Sequence, residues 1–143
     1  MKEPEIHYSS SIDLHLKRLI FVGLDDYAIE KTGRTSEMEQ FTLSILEDDR
    51  PVAGLIGVTF WDTLQVDQLY VNDEQRGKGL GSALMRRAEE IAKERNYKMI
   101  TVETMDFQAV DFYKKLGFQI DFIREGYTNG YKSYFFSKSI SQE

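Results

Sequence analysis

The stretch Gln75-Arg76-Gly77-Lys78-Gly79-Leu80-Gly81-Ser82 limits what this chain can fold into more than any other part of it. Three glycines at alternate positions, with two cations around them, lie between an apolar run, Leu64 to Val71, and an amphipathic one. A strand, a short charged linker, a glycine turn and a helix in that order make a cradle for phosphate. Backbone N–H groups stay unpaired where a helix begins, and the helix dipole adds partial positive charge there. Glycine keeps a Cβ from blocking the approach of a bulky anion. The ordinary alternative, a plain flexible turn, leaves the spacing and the paired cations without a reason.

The segments around this turn read as an α/β (α+β) domain. Glu5 to Ser10 is expected as a short strand, and Ser9, Ser10 and Ser11 offer N-caps for a helix over Ile12 to Leu24. Asp25-Asp26-Tyr27 interrupts that helix, and a second short helix or a loop leads to Gly33. Phe41 to Glu47, Val52 to Trp61 and Leu64 to Val71 are strands joined by tight turns, hence an antiparallel meander. Gly54 and Gly57 inside the second strand suggest a bulge or a close backbone approach.

Gly79 to Arg95 is the strongest helix, with Leu80, Leu84, Ala88, Ile91 and Ala92 on one face. Met99 to Thr104 follows as a strand parallel to the one before the helix. Asp106 is a candidate cap for a short helix over Phe107 to Leu116, which Gly117 ends. Phe118 to Glu125 and Tyr131 to Ile140 complete the sheet. With no repeat or linker, residues 1–143 read as one domain of order β-α(-α)-β-β-β-α-β-α-β-β, with a mixed, mainly antiparallel sheet flanked by helices.

Composition narrows the chemistry. The chain has no cysteine, so no disulfide, thiolate metal site or cysteine nucleophile is available. His7 and His15 are the only imidazoles and belong to no ligand cluster, so no metal site is expected. A net charge of −6 argues against nucleic-acid and anionic-membrane partners. No apolar run is long enough to span a membrane, and the start lacks a signal-peptide core, which suits a cytoplasmic protein.

Three phosphate motifs compete for the glycine turn. The P-loop fails, because Asn72 and Gly79 stand where that motif needs Gly and Ser or Thr. The dinucleotide fingerprint G-x-G-x-x-G has Gly77 and Gly79 but Ser82 third, and Glu103 follows at about the expected distance, so it stays open. Its usual context, an immediate strand opening a parallel sheet, is missing. The pattern [QR]-x-x-G-x-[GA] is met at every fixed position by Arg76 to Gly81. Downstream, Ala109, Phe112, Tyr113, Gly117 and Phe118 fill an A-x-x-F-Y-x-x-x-G-F block.

With these two motifs in order, the chain resembles the GNAT superfamily of acyl-CoA-dependent N-acetyltransferases over about residues 41 to 140. Asp67-Gln68-Leu69-Tyr70-Val71 and Phe107-Gln108-Ala109 look like a small single-domain bacterial type. The resemblance implies acetyl-CoA as co-substrate. Its pyrophosphate would lie on the amides around Gly77, Lys78, Gly79, Leu80, Gly81 and Ser82, with charge from Arg76 and Lys78. Its pantetheine arm would run along Leu69, Tyr70 and Val71, where an N–H also faces the developing oxyanion. Arg86 and Arg87 are further phosphate candidates.

The same resemblance makes Tyr113 the candidate general acid at the leaving sulfur and Glu103 the candidate base, with Asp67 second. The family often has Asn at the position of Asp106; a carboxylate there cannot act as an amide donor, so Gln108 or a backbone group is expected to replace it. The acceptor is read as a primary amine of a small molecule or peptide, attacking directly in a ternary complex. Asp25, Asp26, Tyr27, Trp61, Asp62, Asp121, Tyr127 and Tyr131 are acidic and aromatic groups suited to a cation, or ordinary surface and core. The rival function is a non-catalytic acyl-CoA sensor or interaction module. The aromatic last strand, with Tyr134, Phe135 and Phe136, is open to two readings, core or homodimer face.

Overall fold

The structure, a computed structural model, describes residues 2–140. It divides into two compact units, split between Glu37 and Met38. The first holds one helix, α1 (Leu14–Thr32). Its cap is Asp13, whose Oδ1 accepts from His15 N at 2.8 Å and Leu16 N at 3.2 Å. Ser9 and Ser11 bond each other instead of capping.

Two expectations fail in this unit. Glu5 to Ser10 is not a strand: the segment is exposed and has no partner strand among the described residues. Asp25-Asp26-Tyr27 does not break the helix. The Asp25 carboxylate turns outward to accept from Ser36 Oγ at 2.7 Å and Ser36 N at 3.2 Å, so it does not compete for the helix backbone. Those bonds, the hydroxyl first, hold its pKa below the usual carboxylate range.

The second unit is a six-stranded sheet. In chain order its elements are β1 (Glu39–Glu47), β2 (Arg50–Phe60), β3 (Thr63–Val71), α2 (Leu80–Glu94), β4 (Met99–Met105), α3 (Val110–Lys115), β5 (Gln119–Arg124) and β6 (Ser133–Ser139). The spatial order is β1-β2-β3-β4-β6-β5, and only the β3–β4 pair is parallel. Both hairpins of the meander turn through residue pairs with positive φ: Asp48 and Asp49 at 51° and 62°, Trp61 and Asp62 at 47° and 58°. Such turns match the twist of the flanking strands.

Helix α2 lays Leu84, Met85, Ala88 and Ala92 on the sheet, where Ala53, Leu55, Leu64, Val66, Ile100 and Val102 complete one core. The two alanines let helix and sheet approach closely, and each large aliphatic side chain buried here contributes about 1.5–3 kcal/mol. Helix α3 closes one end. Lys138 Nζ ties it down by donating to Leu116 O at 2.9 Å and pairing with Glu89 Oε2 at 3.2 Å. Phe136 is buried in the core and Tyr134 packs against it, while Phe135 is only half-buried.

The sheet is not continuous between its two central strands. β3 and β4 pair from Thr63 opposite Met99 to Val66 opposite Val102, and no further. At that point the register with β2 also shifts: Ile56 faces Gln68 while Gly57 faces Val66, so Asp67 is an extra, bulged residue. The bulge changes which residues face the core, from Leu64 and Val66 before it to Leu69 and Val71 after it. Beside it, a Cβ on Gly57 would stand 2.6 Å from the Phe41 ring and 2.8 Å from Gln65 O. Gly57→Ala is therefore expected to cost about 1–3 kcal/mol in denaturant unfolding, because the second neighbour is backbone and cannot swing away.

Candidate active site

Beyond the bulge, β3 and β4 diverge and leave a cleft. Its cavity, about 700 Å³, is walled by Leu69, Tyr70 and Val71 on one side and by Phe107, Gln108, Ala109 and Phe112 on the other. The glycine turn, from Gln75 to Ser82 without Lys78, forms its end. Asn72 N donates to Val52 O at 2.9 Å, so the Asn72 backbone faces β2. Strand alternation then turns the N–H and C=O groups of Leu69 and Val71 toward the cleft. Of these, Val71 O already accepts from Arg76 Nε at 3.1 Å.

The turn itself is shaped by backbone geometry. Gly77 and Gly79 have φ of 79° and 78°, and a Cβ on either would meet nothing within 4 Å. Their glycines are thus required by conformation, with open space above them. Gly79 is the cap of α2, and no side chain caps the helix. The first helical bond runs from Ala83 N to Gly79 O at 3.0 Å, which leaves the amides of Leu80, Gly81 and Ser82 ahead of it. Gly81 has a different reason: a Cβ there would lie 3.3 Å from Phe112 Cζ, so the glycine turn and the aromatic block touch.

The cations of the turn are partly engaged. Arg76 pairs with Asp73 Oδ1 at 2.9 Å and stacks over the Tyr70 ring at 5.5 Å, yet remains exposed. Lys78 Nζ donates to Gln75 Oε1 at 3.1 Å and does not line the cavity. Arg87 is held by Glu90 and Glu94 at 3.1 and 3.2 Å, on the outer face of α2.

Asp106 does not cap α3, whose N-cap is Ala109 without a side-chain bond. Its Oδ2 accepts from Lys132 N at 3.1 Å and its N–H donates to Lys132 O at 2.8 Å, which fastens the end of β4 to the approach of β6. Gln108 lines the cleft. Its Oε1 accepts from Met105 N at 2.8 Å and Thr104 Oγ1 at 3.4 Å, which fixes the amide so that Nε2 is the end left over.

Tyr113 and Glu103 are not brought side by side. Tyr113 is 3 % exposed and packs edge-on against Phe112 and Phe118, with ring centroids 5.0 and 5.7 Å away. It is absent from the cleft lining, although its neighbour Phe112 is part of it. Burial pushes its phenol up to about 12. Glu103 accepts from Ser133 Oγ at 2.9 Å and borders a second cavity, on the face of the sheet away from α2, together with Asp67 and Asp121. Gln75, Phe107, Ala109 and Phe112 line the cleft without having been singled out as binding residues; Ala109 and Phe112 were visible as fixed positions of the downstream block.

The profile of the Acetyltransferase (GNAT) family matches residues 12–118. The chain belongs to this family. Blasticidin-S acetyltransferase of Streptomyces morookaense is 36% identical over 121 residues, covering 79% of this chain and 88% of that protein. A crystal structure assigned as an acetyltransferase of Agrobacterium tumefaciens aligns with a TM-score of 0.81 and 26% identity, over 95% of this chain and 99% of its own. A Bacillus anthracis structure, assigned as a streptothricin acetyltransferase and solved with acetyl coenzyme A, shares the fold at a TM-score of 0.63 and 22% identity, over 70% and 62% of the two chains. As a GNAT protein the chain is an acetyl-CoA-dependent N-acyltransferase, and acetyl-CoA is the co-substrate. No described helix is long and apolar enough to cross a membrane.

The raised phenol of Tyr113 has a consequence for stability. The unfolded chain gives up this proton near pH 10, while the folded chain keeps it to about 12. Its contribution is complete below pH 10 and is lost as pH rises from there to about 12. Chemical denaturation at pH 8 and pH 11 is expected to show about 1 kcal/mol more loss in the natural chain than in Tyr113→Phe.

Proposed function

We propose that this GNAT protein acetylates a primary amine of a small molecule or peptide by direct attack, with the cofactor held in the cleft between β3 and β4. The observation that carries the reading is the cleft itself: unpaired strand edge, uncapped helix start and open glycine turn line one continuous cavity. A pyrophosphate fits the turn, because its amides are donors and no side chain competes for them. An extended arm fits Leu69 to Val71 as an added strand fits an edge. The Gln108 amide takes the donor role that Asp106 cannot.

The co-substrate supplies a thioester carbonyl to the acceptor. The chain supplies orientation and proton handling. The N–H of Leu69 is the candidate donor where negative charge develops on the carbonyl oxygen. Tyr113 is the candidate acid for the departing sulfur; its high pKa keeps the phenol protonated throughout the neutral range. An alkylamine with a pKa of about 10 must lose a proton before it attacks. Glu103, through water, is the candidate acceptor of that proton, and Asp67 the second. With no cysteine in the chain, and with Ser133, whose hydroxyl donates to Glu103, absent from the cleft lining, direct transfer is favoured over a covalent enzyme intermediate.

The test is thiol release from acetyl-CoA across a panel of amines. Tyr113→Phe is expected to lower kcat about 100-fold while leaving acetyl-CoA affinity unchanged. An unchanged kcat with every productive amine removes Tyr113 as the acid. Gly79→Ala is expected to weaken acetyl-CoA binding about tenfold or more, because an L side chain disfavours the φ that aims the amides.

A further inference from the structure

A free strand edge is an unsatisfied surface, because its N–H and C=O groups have no neighbouring strand. In the cleft between β3 and β4 those groups belong to Leu69 and Val71. One of them is already taken. Arg76 Nε donates to Val71 O at 3.1 Å. The same guanidinium pairs with Asp73 Oδ1 at 2.9 Å, and its carbon stands 5.5 Å from the centre of the Tyr70 ring. These contacts lay one side chain along the wall of the cleft that β3 forms. The local chain makes this possible. A short turn over Asp73–Gln75 brings Arg76 N to donate to Asp73 O at 3.3 Å, which folds the residue back onto the strand it has just left.

An extended amide arm added to this edge needs the same carbonyl, since an added strand donates an N–H to each outward C=O. A carbonyl oxygen has two lone pairs, so the conflict is one of space as much as of bonding. The guanidinium lines the cleft beside Val71, where the arm has to lie. Arg76 is also the one charged side chain among the described residues that line the cleft. Lys78, whose Nζ is bonded to Gln75 Oε1 at 3.1 Å, stands outside it. A pyrophosphate on the turn that starts at the next residue, Gly77, meets amides there and no cation while Arg76 stays on β3. The hold on β3 is weak: Asp73 is 81% exposed, and ion pairs in water contribute little. A guanidinium bonds a phosphate more strongly than a neutral carbonyl.

We propose that Arg76 is a latch on the donor site: it occupies the free edge of β3 in the empty protein, and the phosphates of acetyl-CoA draw it off so that the arm can take its place. The proposal rests on the cofactor lying in the cleft between β3 and β4. It gives the phosphates a task beyond anchoring, because they open the edge that the arm needs. An acyl donor with the arm but without the phosphates meets a closed edge. Its apparent affinity is reduced by the fraction of molecules in which the latch stands open. Arg76 thereby selects full CoA thioesters over shorter thioesters that carry the same arm.

S-Acetylpantetheine carries the arm and the thioester without the pyrophosphate, so it separates a latch from a plain phosphate contact. NMR titrations followed at the amides of Leu69 and Val71 compare it with acetyl-CoA. Arg76→Ala is expected to bind S-acetylpantetheine about fivefold more tightly than the natural chain does, and to bind acetyl-CoA several-fold more weakly. A residue that only contacts phosphate would leave S-acetylpantetheine binding unchanged, and one that only supports the wall would weaken both ligands. Either result, or no measurable S-acetylpantetheine binding by either chain, would overturn the latch. Shifts from both ligands confined to a different surface would contradict the cleft reading itself. A second measurement needs no variant. A through-hydrogen-bond coupling between Arg76 Nε and the Val71 carbonyl carbon is expected in the empty protein and lost at saturating acetyl-CoA. Its persistence at saturation, or its absence from the empty protein, would contradict the proposal.

Discussion

Parallel pairing between β3 and β4 ends at Val66 and Val102, and the proposed site is built on that ending. A continuous sheet would have spent the backbone groups of Leu69 and Val71 on a neighbouring strand. The Asp67 bulge adds one residue to β3, bends the strand away from β4 and leaves those groups facing a cleft. Gly57 makes the bend possible by letting β2 approach within a distance no Cβ tolerates. The strand edge proposed to receive a cofactor is thus held open by core packing under α2.

The two cavities are consequences of the same fork. Just past the last β3–β4 pair, the side chains of Asp67 and Glu103 border the acidic cavity. Where the strands have parted, backbone groups replace side chains as the working surface, and the glycine turn closes the end. Gly81 against Phe112 locks the turn to α3, and Lys138 locks α3 to β6 through Leu116 O. A neutral, deeply buried Tyr113 sits in that assembly, so any part it takes in chemistry is set by the packing of Phe112, Phe118 and Phe136 around it.

Much of this was legible in the residues, for local reasons. The meander could be read because Asp48-Asp49 and Asp62 punctuate apolar runs, and α2 because its apolar face repeats at helical spacing. The glycine turn was legible because two of its glycines answer to φ and one to contact. The false strand at Glu5 to Ser10 and the false break at Asp25 have a common cause: both turn on partners that local pattern does not reveal. A strand needs a neighbour, and Asp25 found Ser36 across a loop. Asp106 likewise looked like a cap and instead bonds Lys132, far along the chain. The bulge had a signal that went unread. Apolar residues fall at Leu64, Val66, Leu69 and Val71, an alternation that skips a step at Asp67-Gln68. Asp67, Glu103 and Asp121 were each legible as candidate residues, but not as one cavity, because they come from three strands that only the sheet order brings together.

The central claim is that the parted strand and the uncapped helix start together hold the cofactor through backbone groups. Amide hydrogen exchange by NMR, with and without acetyl-CoA, addresses it directly. The account predicts new protection concentrated at Leu69, Val71 and the amides from Gly77 to Ser82, with β1 and β5 unchanged. Saturating acetyl-CoA that leaves Leu69 and Val71 exchanging as before, or protects a different surface, would contradict it.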